Sequence, residues 1–167
     1  MGKFNELPVP PLVWLLRLLA VPLALTVVAA NVYYDYISAP SGILWSPVAA
    51  LLACGLVLFG APTRNPYLKA GLCAGLLMGQ DAGIKLFGGG VHDAAGQGLM
   101  NFAFVAGALL SLLLLAAALR QDELKGDKEK GPVPKGRVIG LFLAVLLGHL
   151  LLFGWLGFGR YVGTYME

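Results

Sequence analysis

An all-α, polytopic integral membrane bundle of five transmembrane helices, N-terminus cytoplasmic, is the fold class this sequence predicts. Three observations carry it. The 167 residues are 58% hydrophobic and 13% charged, with a mean hydropathy of +0.77, whereas soluble domains carry about 25% charged residues to solvate their surface. Four runs, 18–34, 36–63, 94–119 and 138–159, contain no Asp, Glu, Lys or Arg, and a spanning helix needs about 20 largely apolar residues. The basic residues are distributed unevenly between the two ends of those runs. This composition excludes a soluble enzyme, a disordered chain and a nucleic-acid binder.

The first helix is expected over about 11–33, with Arg17 near enough to its start to snorkel back to the headgroups. Arg17 also interrupts the apolar stretch that a cleaved secretory leader requires, so the segment is expected to be retained. The second helix covers about 43–61 and the fourth about 98–119. A hydrophilic stretch, 120–137, into whose first residues helix four extends, then forms a solvated cytoplasmic loop, and the fifth helix runs over about 138–159. The third, 68–87, is the hardest to place, because it carries Gln80, Asp81 and Lys85. Charge decides it. With five spans and the N-terminus inside, Lys3, Arg17, Arg64, Lys69, Arg120, Lys125, Lys128, Lys130, Lys135 and Arg137 are cytoplasmic, leaving only Lys85 and Arg160 outside. Omitting the third span would move the six bases of 120–137 to the outer side, against the positive-inside rule. Tyr33, Tyr34, Tyr36, Trp45, Trp155, Tyr161 and Tyr165 then fall at the outer interface and Trp14 and Tyr67 at the inner one, where amphipathic rings prefer to lie. The whole chain, 1–167, is one transmembrane domain.

Helix three holds the most informative residues. Gly71, Gly75, Gly79 and Gly83 recur every four residues and form a small-residue ridge suited to close helix packing. Asp81 lies about 200° around the helix from Gly79, so ridge and carboxylate face opposite ways. If both are buried, helix three is enclosed by protein. An intramembrane acid is a functional-site candidate, and Lys85, one turn on, is its expected partner. His149 is expected near the middle of helix five, roughly one turn deeper than Asp81. Together with Asn31 and Asn101 these residues form a polar path suited to a proton wire, a quinone headgroup or a small polar substrate, or else they satisfy neighbouring backbone. The candidate catalytic residues are therefore Asp81, His149 and Lys85, with His149 and Asn101 as candidate cofactor ligands.

Bis-histidine haem held by this chain alone is not expected, since the only other histidine, His92, lies in the outer GGGVHDAAGQG loop; haem shared with another subunit stays open. Cys54 and Cys73 are 19 residues apart without a CxxC motif and read as two small buried hydrophobes. No metal-ligand spacing, phosphate-binding loop or catalytic triad appears.

The segments LLRLLAVPL (15–23) and AALLACGLVLFGAPTR (49–64) resemble the DoxX-like family of small four-helix membrane proteins, over about residues 11–118. The matching positions are Arg17 and the Gly60-Ala61-Pro62-Thr63-Arg64 ending. The resemblance implies a component of a quinone-linked thiol or thiosulfate redox complex. The chain departs from the pattern in the acidic residue of helix two, replaced by Leu or Ala, in the missing Lys after helix one, and in the added fifth helix.

The functional expectation is an accessory transmembrane subunit that packs into and stabilises a larger complex, an electron-transfer or energy-transducing one, with no catalytic activity of its own. Its partners are then membrane lipids and other transmembrane subunits, with no nucleic acid, and its location a bacterial inner membrane. The alternative is a DoxX-like quinone-linked or proton-handling protein built on Asp81 and His149. A small transporter or channel is a third class, although neither an inverted repeat nor a broken helix pair is evident.

Overall fold

The computed structural model describes residues 11–88, 94–125 and 134–154. They form five helices: α1 (Pro11–Ile37), α2 (Ser41–Gly55), α3 (Pro66–Phe87), α4 (Ala94–Lys125) and α5 (Lys135–Phe153), with α2 continuing as a π-helical turn, Leu56–Gly60. No strand occurs among the described residues. The segments Arg17–Ile37, Ser41–Gly60, Gly96–Gln121 and Lys135–Phe153 are each long and apolar enough to cross a membrane.

Local chemistry explains where the helices start. Asn65 caps α3, its side-chain oxygen accepting from the amides of Tyr67 (3.0 Å) and Leu68 (3.3 Å), and Pro66 follows with its backbone angle preset. At α2 the N-cap position is Pro40, which has no side chain able to cap. Asp35, from the end of α1, supplies the missing acceptor: its Oδ1 takes the amide of Ile43 at 3.1 Å. Gly42 makes this possible, because a Cβ there would fall on the Cβ, Cα and amide nitrogen of Asp35. The π-helical turn is held by a cation, Lys69 Nζ donating to the carbonyl of Leu58 at 2.8 Å.

Two helix ends differ from the expected ranges. Helix α4 runs on to Lys125, past the 119 boundary, as expected of a helix four that extends into the first residues of the hydrophilic stretch, where Arg, Gln, Glu, Leu and Lys of RQDELK favour helix. Helix α5 stops at Phe153 rather than near 159, where Gly154 (φ −76°, ψ −148°) leaves the helical path. Residues 155–167, including Trp155, Arg160, Tyr161 and Tyr165, lie outside the described residues, as do Lys3, Lys128, Lys130 and His92.

Helix α3, the least apolar, packs against each of the other four. Its buried residues are Ala70, Cys73, Ala74, Leu76, Leu77, Gln80, Asp81, Ile84 and Lys85, and the apolar ones up to Leu77 share a core with Ala50, Ala53, Cys54, Leu115, Ala118, Phe142 and Leu146 of the surrounding helices. Small side chains on both surfaces let the backbones approach, as helix packing in lipid requires. The glycine ridge does not take part as expected. A methyl added at Gly71, Gly75 or Gly79 would meet no atom of another helix within 4 Å, whereas one at Gly83 would run into Val32 of α1. At 100° per residue the ridge lies opposite Leu77 and Asp81, so burial of the polar face turns the glycines outward. Helix α3 is therefore central but not enclosed.

The outer surface is apolar, with Phe102 71% and Leu151 82% exposed, whereas Asn31, Asp35, Gln80, Asp81, Lys85, Gln97 and His149 are all buried. A water-soluble globule distributes these residues the other way round.

Candidate functional site

The buried polar residues fall into two adjoining clusters. The first joins α1, α2 and α3. Asn31 Nδ2 donates to the carbonyl of Gly42 (2.9 Å), and its Oδ1 accepts from Ser46 Oγ (3.1 Å) and from Gln80 Nε2 (2.6 Å). Gln80 Nε2 also donates to the carbonyl of Ser46 at 3.1 Å, and the Gly42 carbonyl, 2.9 Å from Ser46 Oγ, is the alternative acceptor for that hydroxyl's single hydrogen. Both hydrogens of the Gln80 amide are thus used, which fixes its orientation.

The second cluster joins α3, α4 and α5. Asp81 Oδ2 accepts from Lys85 Nζ and lies against His149 Nε2, each at 2.7 Å. Lys85 Nζ also donates to Asn101 Oδ1 (2.9 Å) and to the carbonyl of Phe153 (2.8 Å). An ammonium has three hydrogens, and here all three are engaged. The Phe153 carbonyl belongs to the last turn of α5, where four carbonyls lack helical partners and a cation is favoured by the helix dipole. Lys85 therefore neutralises Asp81 and caps α5 with one group.

His149 has a different standing. Its ring is stacked on Phe153 (centroids 4.9 Å apart) and tilted against Phe104 (5.1 Å). With Nε2 directed to a carboxylate, the neutral imidazole carries its hydrogen on Nε2 and presents Nδ1 as a bare lone pair. Nδ1 is buried and has no hydrogen-bond partner among the described residues. Of the three candidate residues, then, Lys85 has all three hydrogens engaged, and Asp81 and His149 share one close contact, with His149 Nδ1 left without a partner among the described residues.

A cavity of about 20 Å³ lies where the two clusters meet, lined on its polar side by Ser46, Gln80 and Asp81 and on its apolar side by Leu77, Met100 and Phe104 among others. That volume suits one water molecule, and three polar groups are enough to hold one.

The sequence placed Asp81, Lys85, Asn101 and His149 near one another, and the structure joins all four directly. It corrects the depth of His149. With α5 ending at Phe153, His149 is four residues, about 6 Å, from the helix end, which brings it level with Asp81. Asn31 belongs to the neighbouring cluster, not to a single descending path. Ser46, Gln97 and Asp35 were not expected as buried polar groups. Asp35 shows in the sequence only as the charge dividing the runs 18–34 and 36–63.

Among the described residues, no three His, Cys, Asp or Glu come together to hold a metal ion. Asn101 is engaged by Lys85, and His149 by Asp81 through the nitrogen that a haem ligand would need if Nδ1 stayed buried. No family model, curated protein or solved structure matches this chain.

Proposed function

We propose that the protein is an integral membrane protein of five spanning helices, N-terminus cytoplasmic, whose Asp81–His149 pair transfers protons within the bilayer. One observation carries the reading: a carboxylate oxygen and an imidazole nitrogen 2.7 Å apart, buried in the bundle, with a fixed ammonium on the same oxygen. A buried ionisable group inside an apolar bundle costs several kcal/mol unless it is paired (roughly, for the charged form), and sites that keep such groups are by default pathways for protons or ions. Lys85 holds the carboxylate in place. His149 takes a proton at its open Nδ1 and releases the Nε2 hydrogen to Asp81 Oδ2, and the reverse steps return it. The water-sized cavity on the other side of Asp81 extends the chain of polar groups toward Gln80, Ser46 and Asn31. The apolar exterior and the ten-to-two distribution of bases support five spans in a cytoplasmic membrane.

The test is proton flux into sealed vesicles. Purified protein in liposomes loaded with a pH-sensitive dye, under a potassium–valinomycin potential, is expected to pass protons well above the protein-free rate. Asp81→Asn and His149→Phe are expected to return the flux to that of empty vesicles, a loss of about a hundredfold or more, the scale of a removed proton-transfer group. A wild-type rate equal to the protein-free rate sinks the reading.

A second reading is favoured by the open glycine face. A methyl added at Gly71, Gly75 or Gly79 of α3, or at Gly136, Gly140 or Gly148 of α5, would point into open space. Such surfaces accept a further helix closely, which suits a subunit of a larger complex; on the DoxX-like resemblance that complex handles electrons from thiols and passes them to quinone. Mild-detergent purification with a tag is then expected to recover partner subunits in fixed ratio, and Gly75→Leu to release them. Recovery of a monodisperse single chain counts against it.

A further inference from the structure

Cys54 of α2 and Cys73 of α3 are 19 residues apart and face each other across the helix interface. Cys54 Sγ lies 3.8 Å from the carbonyl oxygen of Cys73, and Cys73 Sγ lies 3.9 Å from the carbonyl oxygen of Cys54. Each sulfur thus reaches the other residue's backbone. Both residues are fully buried and both thiols are free. The approach is possible because α2 and α3 meet through Ala50, Ala53, Ala70 and Ala74, all buried. Bridged cysteines need Cα atoms about 4.4–6.8 Å apart with side chains directed at one another, and small side chains at a helix contact favour such an approach where leucines would hold the helices further apart.

We propose that Cys54 and Cys73 form a dithiol that closes to an intramolecular disulfide, cross-linking α2 to α3. The reaction removes one hydrogen from each sulfur and joins the two sulfurs. Two electrons and two protons pass to the oxidant. Both sulfurs are enclosed by the packed helices, so the oxidant, a two-electron, two-proton acceptor small and apolar enough to enter the bundle, reaches them as α2 and α3 part. With an azodicarboxamide, the first thiol adds across the N=N bond. The second thiol then displaces the resulting hydrazine, so that N=N becomes HN–NH and S–S forms. The bridge lies seven residues along α3 from Gln80 and eight along α2 from Ser46, about 10–12 Å, on the same interface that the Gln80–Ser46 hydrogen bond holds. Closing it fixes the α2–α3 register on which the first polar cluster depends.

The experiment is thiol counting on the full chain in liposomes. After treatment with a membrane-permeant azodicarboxamide, the protein is denatured, alkylated with a maleimide and weighed. Wild-type protein is expected to lose both alkylatable thiols, with a mass lower by two hydrogens, and to regain both on reduction. Cys54→Ser and Cys73→Ser are expected to keep their single thiol under the same treatment, reacting at least tenfold more slowly. Two alkylatable thiols remaining in treated wild type overturn the proposal. So does loss of the lone thiol in either variant at the wild-type rate, or a disulfide that forms only in chains unfolded before oxidation. The wild-type measurement stands without the variants, and none of these outcomes depends on proton flux.

Discussion

Asp81→Ala is expected to lower the stability of the bundle by about 3–5 kcal/mol, the cost of stranding a buried charge by removing its partner. The deletion leaves the Lys85 ammonium with two neutral acceptors, Asn101 Oδ1 and the Phe153 carbonyl, and leaves His149 Nε2 with none. Because those groups sit on α3, α4 and α5, the loss is felt at three helices at once. Replacing both charges together, Asp81→Leu with Lys85→Leu, removes the stranded charge. The double variant is expected to be more stable than Asp81→Ala, although α5 loses its cap. Detergent-induced unfolding followed by tryptophan fluorescence measures both. A single variant within about 1 kcal/mol of wild type would mean that the ammonium finds another anion, and would contradict the saturated geometry described for it. Asp81→Asn separates structure from proton transfer. It retains an acceptor for Lys85 and is expected to keep the folded bundle while abolishing flux. Loss of the folded protein in that variant would instead mark the cluster as a structural clamp.

Gly42→Ala is expected to destabilise by about 3 kcal/mol, combining backbone overpacking with loss of a helix cap. The added methyl has no flexible side-chain tip to displace; it meets the backbone of Asp35. To make room, the α1–α2 hairpin must open, and the Asp35–Ile43 cap opens with it. The Gly42 carbonyl then moves away from Asn31 Nδ2 and Ser46 Oγ, so the first polar cluster loses one hydrogen bond and the Ser46 hydroxyl its alternative acceptor. Gly75→Ala is the matched control. It sits on the open face of α3, where the added methyl would meet no atom of another helix within 4 Å, and its stability is expected to stay within about 0.5 kcal/mol or rise slightly, since alanine favours helix. Equal effects at the two glycines would show that the α1–α2 contact is looser than the geometry requires.

What could be read from the chain followed from local chemistry. Charge-free runs located four helices, and the Asp81–Lys85 spacing marked one turn of a fifth as unlike the rest. A pair at i and i+4 is close on any helix, so that contact needed no tertiary information. The contact with His149 did. It depends on where α5 ends, and the sequence suggested 159 because hydropathy continues past Gly154 without a break. Only the bend at Gly154 put Phe153 at the helix end, its carbonyl beside Lys85 and His149 level with Asp81. The cysteines show the same limit. Their separation of 19 residues carries no sign that α2 and α3 meet at that height.

The glycine ridge makes the division plainest. Period-four glycines and an acid 200° away determined that helix three has two faces, one small and one polar. Which of them turns inward could not be read from spacing, because both are compatible with close packing. The structure decides it by energy. An unpaired charge on an apolar exterior costs far more than an unfilled glycine groove, so the carboxylate, with Lys85 and His149, takes the interior. The ridge is left at the surface. The sequence by itself thus determined the helices, their apolar character and the identity of the polar residues. Tertiary structure alone decided which of those residues touch, because that rests on where helices end and how closely their small faces approach.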